Sequence, residues 1–182
     1  AMEHISKGSR VLDCFTHTGG FALHAAKYGA IEVLGLDISE EAVTLAKSNA
    51  KLNGMEATTQ FKPANVFDFL AGPVKDSGRW DVIVLDPPAF AKSRTALDGA
   101  VRGYKEINLR AMKALPPGGF LVTCSCSQHM VPELFRKTIA DAARDAHCEL
   151  REVFSGSQPP DHPIHWAIPE THYLKCLVLQ VL

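Results

Sequence analysis

The chain has 182 residues, of which 46% are hydrophobic and 21% charged, so its composition is that of one soluble globular domain with a full core. No apolar run approaches the roughly 18 residues of a membrane span and no signal peptide opens the chain, so no membrane span is expected. The five cysteines form no CxxC pair, which argues against a zinc site or a disulfide framework and fits a reducing cytoplasm.

The first half of the chain alternates between strand and helix patterns. It predicts strands at Arg10–Cys14, Val33–Leu36 and Ala57–Phe61, and helices at Ala22–Tyr28 and from Ser39 to about Asn53. A Gly19-Gly20 turn follows the first strand, where backbone amides can approach a ligand closely. A G-x-G-x-x-G fingerprint is absent, which argues against a dinucleotide.

Polar residues follow each of these three strands. Asp13 precedes the glycine turn, where its carboxylate could take a ligand ammonium group. Asp37 lies about 20 residues beyond the turn, a position suited to ribose hydroxyls. Asn65 follows the third strand and could bind an adenine edge, or it could simply be a turn residue.

The central strand is predicted at Val82–Leu85, an unbroken apolar run typical of a strand buried on both faces. Pro87 and Pro88 end it, because neither can donate to a strand ladder. Asp86 is therefore placed at the carboxyl end of a central strand, where α/β sheets bind ligands. The alternative is that Asp86 only starts a turn.

The second half continues the alternation and ends in two strands without a helix between them. Its patterns predict a loop at Ala91–Gly103, a helix at Tyr104–Leu115, a strand at Phe120–Cys124, a helix at Pro132–Ala146, strands at Glu149–Phe154 and Leu174–Leu182, and a loop at Ser155–Thr171. We therefore predict an α/β fold with a mostly parallel sheet and a final antiparallel hairpin.

Positive charge is concentrated between Lys92 and Lys113. This segment contains six basic and two acidic residues, although the whole chain has a net charge of −1. The segment is either a solvated face or a phosphate-contacting patch beside Asp86.

These motifs resemble those of the class I S-adenosylmethionine-dependent methyltransferases. Four further motifs make the chain similar to the ribosomal RNA large subunit methyltransferase I family of cytosine-5 methyltransferases: Arg102-Gly103-Tyr104-Lys105, Cys124-Ser125-Cys126-Ser127, Asp161-His162-Pro163 and Tyr173-Leu174-Lys175. The resemblance implies a Rossmann-like seven-stranded sheet with helices on both faces and an antiparallel last strand. It also implies that residues 1–182 are the catalytic domain of a protein with N-terminal PUA and β-hairpin domains.

The resemblance implies S-adenosyl-L-methionine as cofactor and large-subunit ribosomal RNA as partner. The implied cofactor-binding residues are Asp13, Phe15, Thr16, Gly19, Gly20, Phe21, Asp37, Ile38, Asn65, Val66 and Asp86. The implied substrate-binding residues are Pro87, Phe90, Lys92, Arg94, Arg102, Tyr104, Lys105 and His162. The oligomeric state is left open, with a dimer as one alternative.

Cytosine carbon 5 is a poor nucleophile, so the chemistry requires a thiolate that adds to carbon 6 and a carboxylate that binds the ring. We predict that Cys126 is this nucleophile, with Cys124 as the alternative and Asp86 as the carboxylate. Ser125 and Ser127 are expected to lower the pKa of the thiol by donating to it. His162 could order the substrate loop or act as a base.

Two other functions compete with this prediction. Methyltransferases that act on amino groups often carry an aromatic residue directly after Asp-Pro-Pro, but here Ala89 intervenes before Phe90. A catalytically inactive RNA-binding module is the other alternative, and the intact Asp13, Asp37 and Cys126 argue against it.

Overall fold

The computed structural model describes residues 2–5, 7–72, 79–91 and 93–182. Seven strands form one sheet: β1 Arg10–Cys14, β2 Glu32–Asp37, β3 Thr59–Pro63, β4 Val82–Leu85, β5 Phe120–Ser125, β6 Leu150–Gly156 and β7 Lys175–Val181. Their order is β3-β2-β1-β4-β5-β7-β6. Strands β1 to β5 pair in parallel, whereas β7 is antiparallel to both β5 and β6. The predicted fold class is confirmed.

Helices cover both faces of this sheet. They are α1 Met2–Ile5, α2 Gly20–Lys27, α3 Glu40–Leu52, α4 Val66–Leu70, α5 Leu97–Ala114 and α6 Pro132–Ala146. Side chains of β4 alternate between two hydrophobic clusters, with Val82 and Val84 on one face and Ile83 and Leu85 on the other. All four are fully buried, which explains why the central strand is apolar without alternation.

Helix α5 corrects the sequence-based prediction. It begins at Leu97, so the predicted loop at Ala91–Gly103 is helical over its second half. The sequence hides this start because Ala96 provides no side-chain cap and Gly99 and Gly103 are poor helix formers. Gly103 allows close packing, since a Cβ there would lie 3.3 Å from the Phe90 ring, which would have to shift slightly.

Smaller differences concern strand ends. Strand β3 lies two residues further along the chain than predicted, and β5 extends one residue further, to Ser125. Helix α1 was not predicted, and its Met2 and Ile5 side chains are buried in the core. In β6, at the sheet edge, the pairing register shifts between Glu152 and Phe154.

The antiparallel direction of β7 brings its first residue to the functional edge of the sheet. Ser125, at the carboxyl end of β5, pairs with Lys175, and Cys124 pairs with Cys176. The carboxyl ends of β1, β2, β4 and β5 therefore meet the amino end of β7. Within the part of the chain that the structure describes, no helix has the length and hydrophobicity to cross a membrane.

Candidate functional site

The carboxylate of Asp13 anchors the turn after β1. Its Oδ2 accepts hydrogen bonds from the Thr16 hydroxyl at 2.6 Å and the Ala22 backbone N–H at 3.0 Å. Its Oδ1 is buried without a hydrogen-bond partner among the described residues. Burial raises the pKa of Asp13 to about 7, and the nearby Asp86 and Asp37 carboxylates contribute to this rise. A cationic ligand would relieve both penalties.

The turn itself is held in an uncommon backbone conformation. Phe15 and His17 have positive φ angles of 64° and 49°, and Gly19 has a φ of 90°. Left-handed geometry at non-glycine residues is costly and concentrates at functional sites. Thr16 is fixed between them, because its N–H donates to the Leu36 carbonyl at 2.8 Å. The turn is thus built in advance of any ligand.

Asp37 ends β2 and ties two loops together. Its Oδ2 accepts from the His17 N–H at 2.9 Å and its Oδ1 from the Ser39 N–H at 3.0 Å. The carboxylate is partly exposed, so each oxygen keeps a lone pair for a ligand hydroxyl. The adjacent Ile38 is 75% exposed and could cover the apolar part of a ligand.

Asn65 caps helix α4. Its Oδ1 accepts from Phe67 N at 2.9 Å and Asp68 N at 3.4 Å, so the side-chain oxygen already has a structural role. The exposed Nδ2 remains able to donate to an adenine edge, and that contact stays a prediction. The next residue, Val66, is buried, as is Gly19, whereas Gly20 is exposed and Phe21 is partly buried.

Asp86 and Cys126 meet at the carboxyl ends of β4 and β5. The Sγ of Cys126 lies 3.8 Å from the carbonyl oxygen of Pro87, within reach of a weak S–H donor. Burial raises the pKa of Asp86. Burial also raises the pKa of Cys126, and the negative charge of Asp86 adds to this, which shows that the two groups interact.

Cys124 has a different environment from Cys126. Its side chain is 3% exposed and interacts with Cys176 on β7. That contact and burial keep the pKa of Cys124 well above its usual value. Cys126 is partly exposed, so of these two thiols it is the accessible one.

The neighbouring serines do not serve the thiol as expected. The Ser127 hydroxyl lies 3.1 Å from the Tyr104 hydroxyl and accepts from the Ala91 N–H at 3.2 Å. Ser125 Oγ accepts from the Ser127 N–H at 3.3 Å. The groups that lower the pKa of Cys126 are instead its own backbone and the ammonium group of Lys175.

Tyr104 supports this arrangement from within the core. It is fully buried, and its ring packs against Phe90 at 4.8 Å and Phe135 at 5.6 Å between centroids. A direct contact between Tyr104 and RNA would require this packing to open. Phe90 is partly exposed and lines a cleft of about 690 Å³ together with Phe67 and Arg102.

The basic patch divides into residues of different kinds. Arg102 is exposed on α5, whereas Lys105 forms a 2.6 Å ion pair with Asp145 of α6. Arg94 begins a 3₁₀ turn before α5. Lys92 lies outside the described residues. Phosphate contacts of all four remain predictions, and the pairing of Lys105 makes it the weakest candidate.

His162 lies on an exposed loop, where its Nδ1 is 3.4 Å from the Asp161 carboxylate. Gln158 organises this loop by donating to the His162 carbonyl and accepting from the Tyr173 N–H, both at 2.8 Å. Among the residues described at 79–91 and 93–182, His162 forms no hydrogen bond with Asp86 or Cys126.

The prediction missed Lys175 and the role of Ser127. Lys175 Nζ donates to the carbonyl of Ser127 at 2.7 Å. A lysine at the head of an otherwise apolar strand was the available indication, and only the antiparallel insertion of β7 explains its position.

Comparison with known proteins gives consistent matches. Residues 2–178 match a family of S-adenosylmethionine-dependent methyltransferases. Two relatives, both called ribosomal RNA large subunit methyltransferase I, are 48% identical: one from Aeromonas hydrophila over 99% of this chain, and one from Vibrio cholerae over 100% of this chain. The chain spans 46% of the length of each.

A solved structure of a putative methyltransferase complexed with SAH superposes with a TM-score of 0.81 at 22% identity. The match covers 97% of this chain and 46% of that one. At this identity the superposition supports the fold alone.

Proposed function

The chain belongs to the S-adenosylmethionine-dependent methyltransferase family, and from this premise we propose that it methylates carbon 5 of a cytosine in large-subunit ribosomal RNA through an adduct with Cys126. The resemblance inferred from the motifs is confirmed by the two relatives, whose name supports the RNA substrate and a cytoplasmic location. The observation that carries the proposal is the accessible Cys126 thiol beside Asp86 and Pro87.

The residues at the edge of the sheet fit the family's cofactor. S-Adenosylmethionine carries an ammonium and a sulfonium charge, and Asp13, Asp37 and Asp86 place three interacting carboxylates together. The unpartnered Oδ1 of Asp13 suits the ammonium group, and the free lone pairs of Asp37 suit the ribose hydroxyls. When bound, the cofactor supplies the methyl group.

Cys126 activates the target ring. Its thiolate adds to carbon 6, forming a carbon–sulfur bond and moving the electron pair of the 5,6 double bond to carbon 5. Carbon 5 then takes the methyl group as the bond between that group and the sulfonium sulfur breaks, its proton passes to solvent water, and the thiolate leaves as the 5,6 double bond re-forms. Cys126 is regenerated at the end of each cycle.

Asp86 supports the ring during this sequence. The ionised Asp86 can accept a hydrogen bond from the exocyclic amine, whereas the protonated form, which burial favours by raising the pKa, can donate one to ring nitrogen 3. That bond strengthens as negative charge develops on the ring. Reaching these groups requires the cytosine to be flipped out of any base-paired helix.

The exposed groups next to the thiol suit RNA. Phe90 offers an aromatic surface and Arg102 an exposed guanidinium on the same cleft. Stacking and phosphate contact are the two interactions that single-stranded RNA offers most readily.

A covalent trap tests the proposal. RNA carrying 5-fluorocytosine at the target cannot lose fluorine as the proton is lost, so a stable protein–RNA adduct should accumulate when S-adenosylmethionine is present. Peptide mapping should locate the adduct on Cys126, and Cys124→Ala should still form it. An adduct on Cys124, or no adduct from an active enzyme, contradicts the proposal.

Two simpler measurements exclude the alternatives. Calorimetric binding of S-adenosylmethionine separates an enzyme from an inactive module. Mass mapping of the modified nucleoside separates carbon-5 methylation from methylation of an amino group.

A further inference from the structure

Lys175 is a buried lysine at the functional edge of the sheet. It is the first residue of β7 and is only 9% exposed. Lysines are almost never buried to this degree unless they are paired. Its Nζ donates to the carbonyl oxygens of Ser127 and Tyr173, both at 2.7 Å.

Neither acceptor neutralises the charge of this ammonium group. Both are uncharged carbonyls, and among the described residues Lys175 forms no ion pair with a carboxylate. An ammonium group has three donors, so one N–H remains. The Ser127 carbonyl that it binds lies one residue after Cys126, and a thiolate at Cys126 would counteract the effect of burial on the pKa of Lys175.

We propose that Lys175 is a positioning residue for Cys126, which holds the turn carrying the thiol through the Ser127 carbonyl and stabilises the thiolate with its charge. This inference rests on the proposed function only where it assigns the thiolate a use in methylation. The ionisation of Cys126 itself is independent of the substrate.

The groups that face Cys126 have opposite effects on the pKa of its thiol. Asp86, at the end of β4, disfavours the thiolate, and so does burial. Tyr104, from α5, also interacts with the thiol but has a pKa raised above its usual value by burial, so it is neutral near pH 7. Lys175 is the cation that offsets Asp86.

The proton balance is simple. Burial lowers the pKa of Lys175 to about 8, so the amine is mostly protonated at pH 7. When Cys126 ionises, its proton passes to solvent and Lys175 keeps its own. In the proposed reaction the thiolate attacks and is later released, and the ammonium group remains protonated throughout.

The test measures the ionisation of Cys126 directly in the 182-residue chain, without RNA or cofactor. The rate of alkylation by iodoacetamide is followed from about pH 6 to 10, with peptide mapping to isolate Cys126 from the other cysteines. Lys175→Gln removes the charge, whereas Lys175→Arg keeps it. Lys137→Gln, at an exposed lysine of α6, is the control.

For Lys175→Gln we expect alkylation of Cys126 to be roughly tenfold slower at pH 7, where wild-type Lys175 is protonated, and the difference to vanish well above pH 8, where wild-type Lys175 has lost its proton. Lys175→Arg should stay within about threefold of the wild type, and Lys137→Gln should be unchanged. Equal slowing in the Gln and Arg variants, or no change in Lys175→Gln, overturns the proposal. Slower alkylation of Lys175→Gln at pH 7, together with an RNA adduct that maps to Cys124 or with no adduct from an active enzyme, supports the role of Lys175 while refuting the proposed function.

If the Lys175 variants do not fold, a measurement on the wild type tests the proposal instead. A plot of the logarithm of the Cys126 alkylation rate against pH should lose slope near pH 8, because the thiolate loses its neighbouring cation as Lys175 deprotonates. A line that stays straight through pH 8 contradicts the proposal.

Discussion

The cofactor half of the functional edge, at β1 and β2, differs from the substrate half, at β4, β5 and β7, in how its groups are held. Asp13 is held by groups three and nine residues away, and Asp37 by backbone N–H groups two and twenty residues away. The substrate half depends on distant partners: Cys126 and Pro87 are 39 residues apart, and Lys175 and Ser127 are 48 apart.

This difference separates binding from catalysis. The cofactor half is assembled by local turns and should survive changes in the substrate half. The substrate half is assembled by tertiary packing among α5, β5 and β7, so a change in one element alters the others. Variants in each half should therefore have distinct effects on cofactor affinity and methylation.

The largest expected effect is that of Cys126→Ala. Removing the nucleophile should reduce methylation by more than about 10³-fold, because carbon 5 is then not activated. Cofactor affinity by calorimetry should stay within about threefold of wild type, because Cys126 does not belong to the predicted cofactor-binding residues. Cys124→Ala is the matched control and should keep substantial activity. Equal reductions of methylation in both variants would contradict the proposed separation of cofactor binding from catalysis.

The pH profile should show the next largest effect. Because burial raises the pKa of Cys126, the thiol is neutral at pH 7, and kcat/KM should rise about tenfold per pH unit, or about a hundredfold from pH 6 to pH 8. Above about pH 8 the slope should decrease as Lys175 loses its proton. Cofactor affinity should follow a different profile, and a flat rate profile would exclude a titrating thiol.

Asp37→Ala tests the cofactor half. Removal of the ribose hydrogen bonds should weaken S-adenosylmethionine binding by about 2 kcal/mol, roughly 30-fold. The alkylation rate of Cys126 should not change, since Asp37 is not among the groups that act on its pKa. Unchanged affinity by calorimetry would refute the assignment of Asp37.

Replacing Arg94 and Arg102 by Glu tests the predicted phosphate contacts of the substrate half. RNA binding at low salt should weaken by roughly tenfold, and the log–log salt slope should fall by about 0.7 for each phosphate that is no longer neutralised. Cofactor affinity should be retained. Lys137→Glu controls for general charge, and an unchanged slope would indicate a solvated face.

The smallest effect is that of Ser39→Ala. Ser39 Oγ caps α3 by accepting from the Ala42 N–H at 3.2 Å, and removing this cap should lower the free energy of unfolding by about 1 kcal/mol. Its backbone N–H to Asp37 is kept, so cofactor affinity should not change. A large fall in affinity would show that the cofactor half is less independent of helix stability than proposed.

The same division explains what the sequence could predict. Asp13, Asp37 and Asp86 lie at or just past the carboxyl ends of strands of clear pattern, so their meeting at one sheet edge follows from parallel topology. Helix α6 was predicted with its observed ends because Pro132 marks its first turn.

The features that the sequence did not predict depend on contacts between distant segments of the chain. The start of α5 is set by packing of Ala100 and Tyr104 in the core, against the local preference of Gly99 and Gly103. The role of Lys175 follows from the insertion of β7 between β5 and β6, which no local pattern encodes. Asn65 was placed correctly after β3, but its capping of α4 became visible only with that helix.

The register shift in β6 bears on the behaviour of the molecule at high concentration. This strand borders the sheet and exposes Val153 and Phe154, which would make a flat ladder prone to pairing with the strands of other molecules. A bulge interrupts the regular spacing of donors and acceptors, and Arg151 and Glu152 place charges on the same strand. We therefore expect the irregularity to disfavour edge-to-edge pairing between molecules at high concentration.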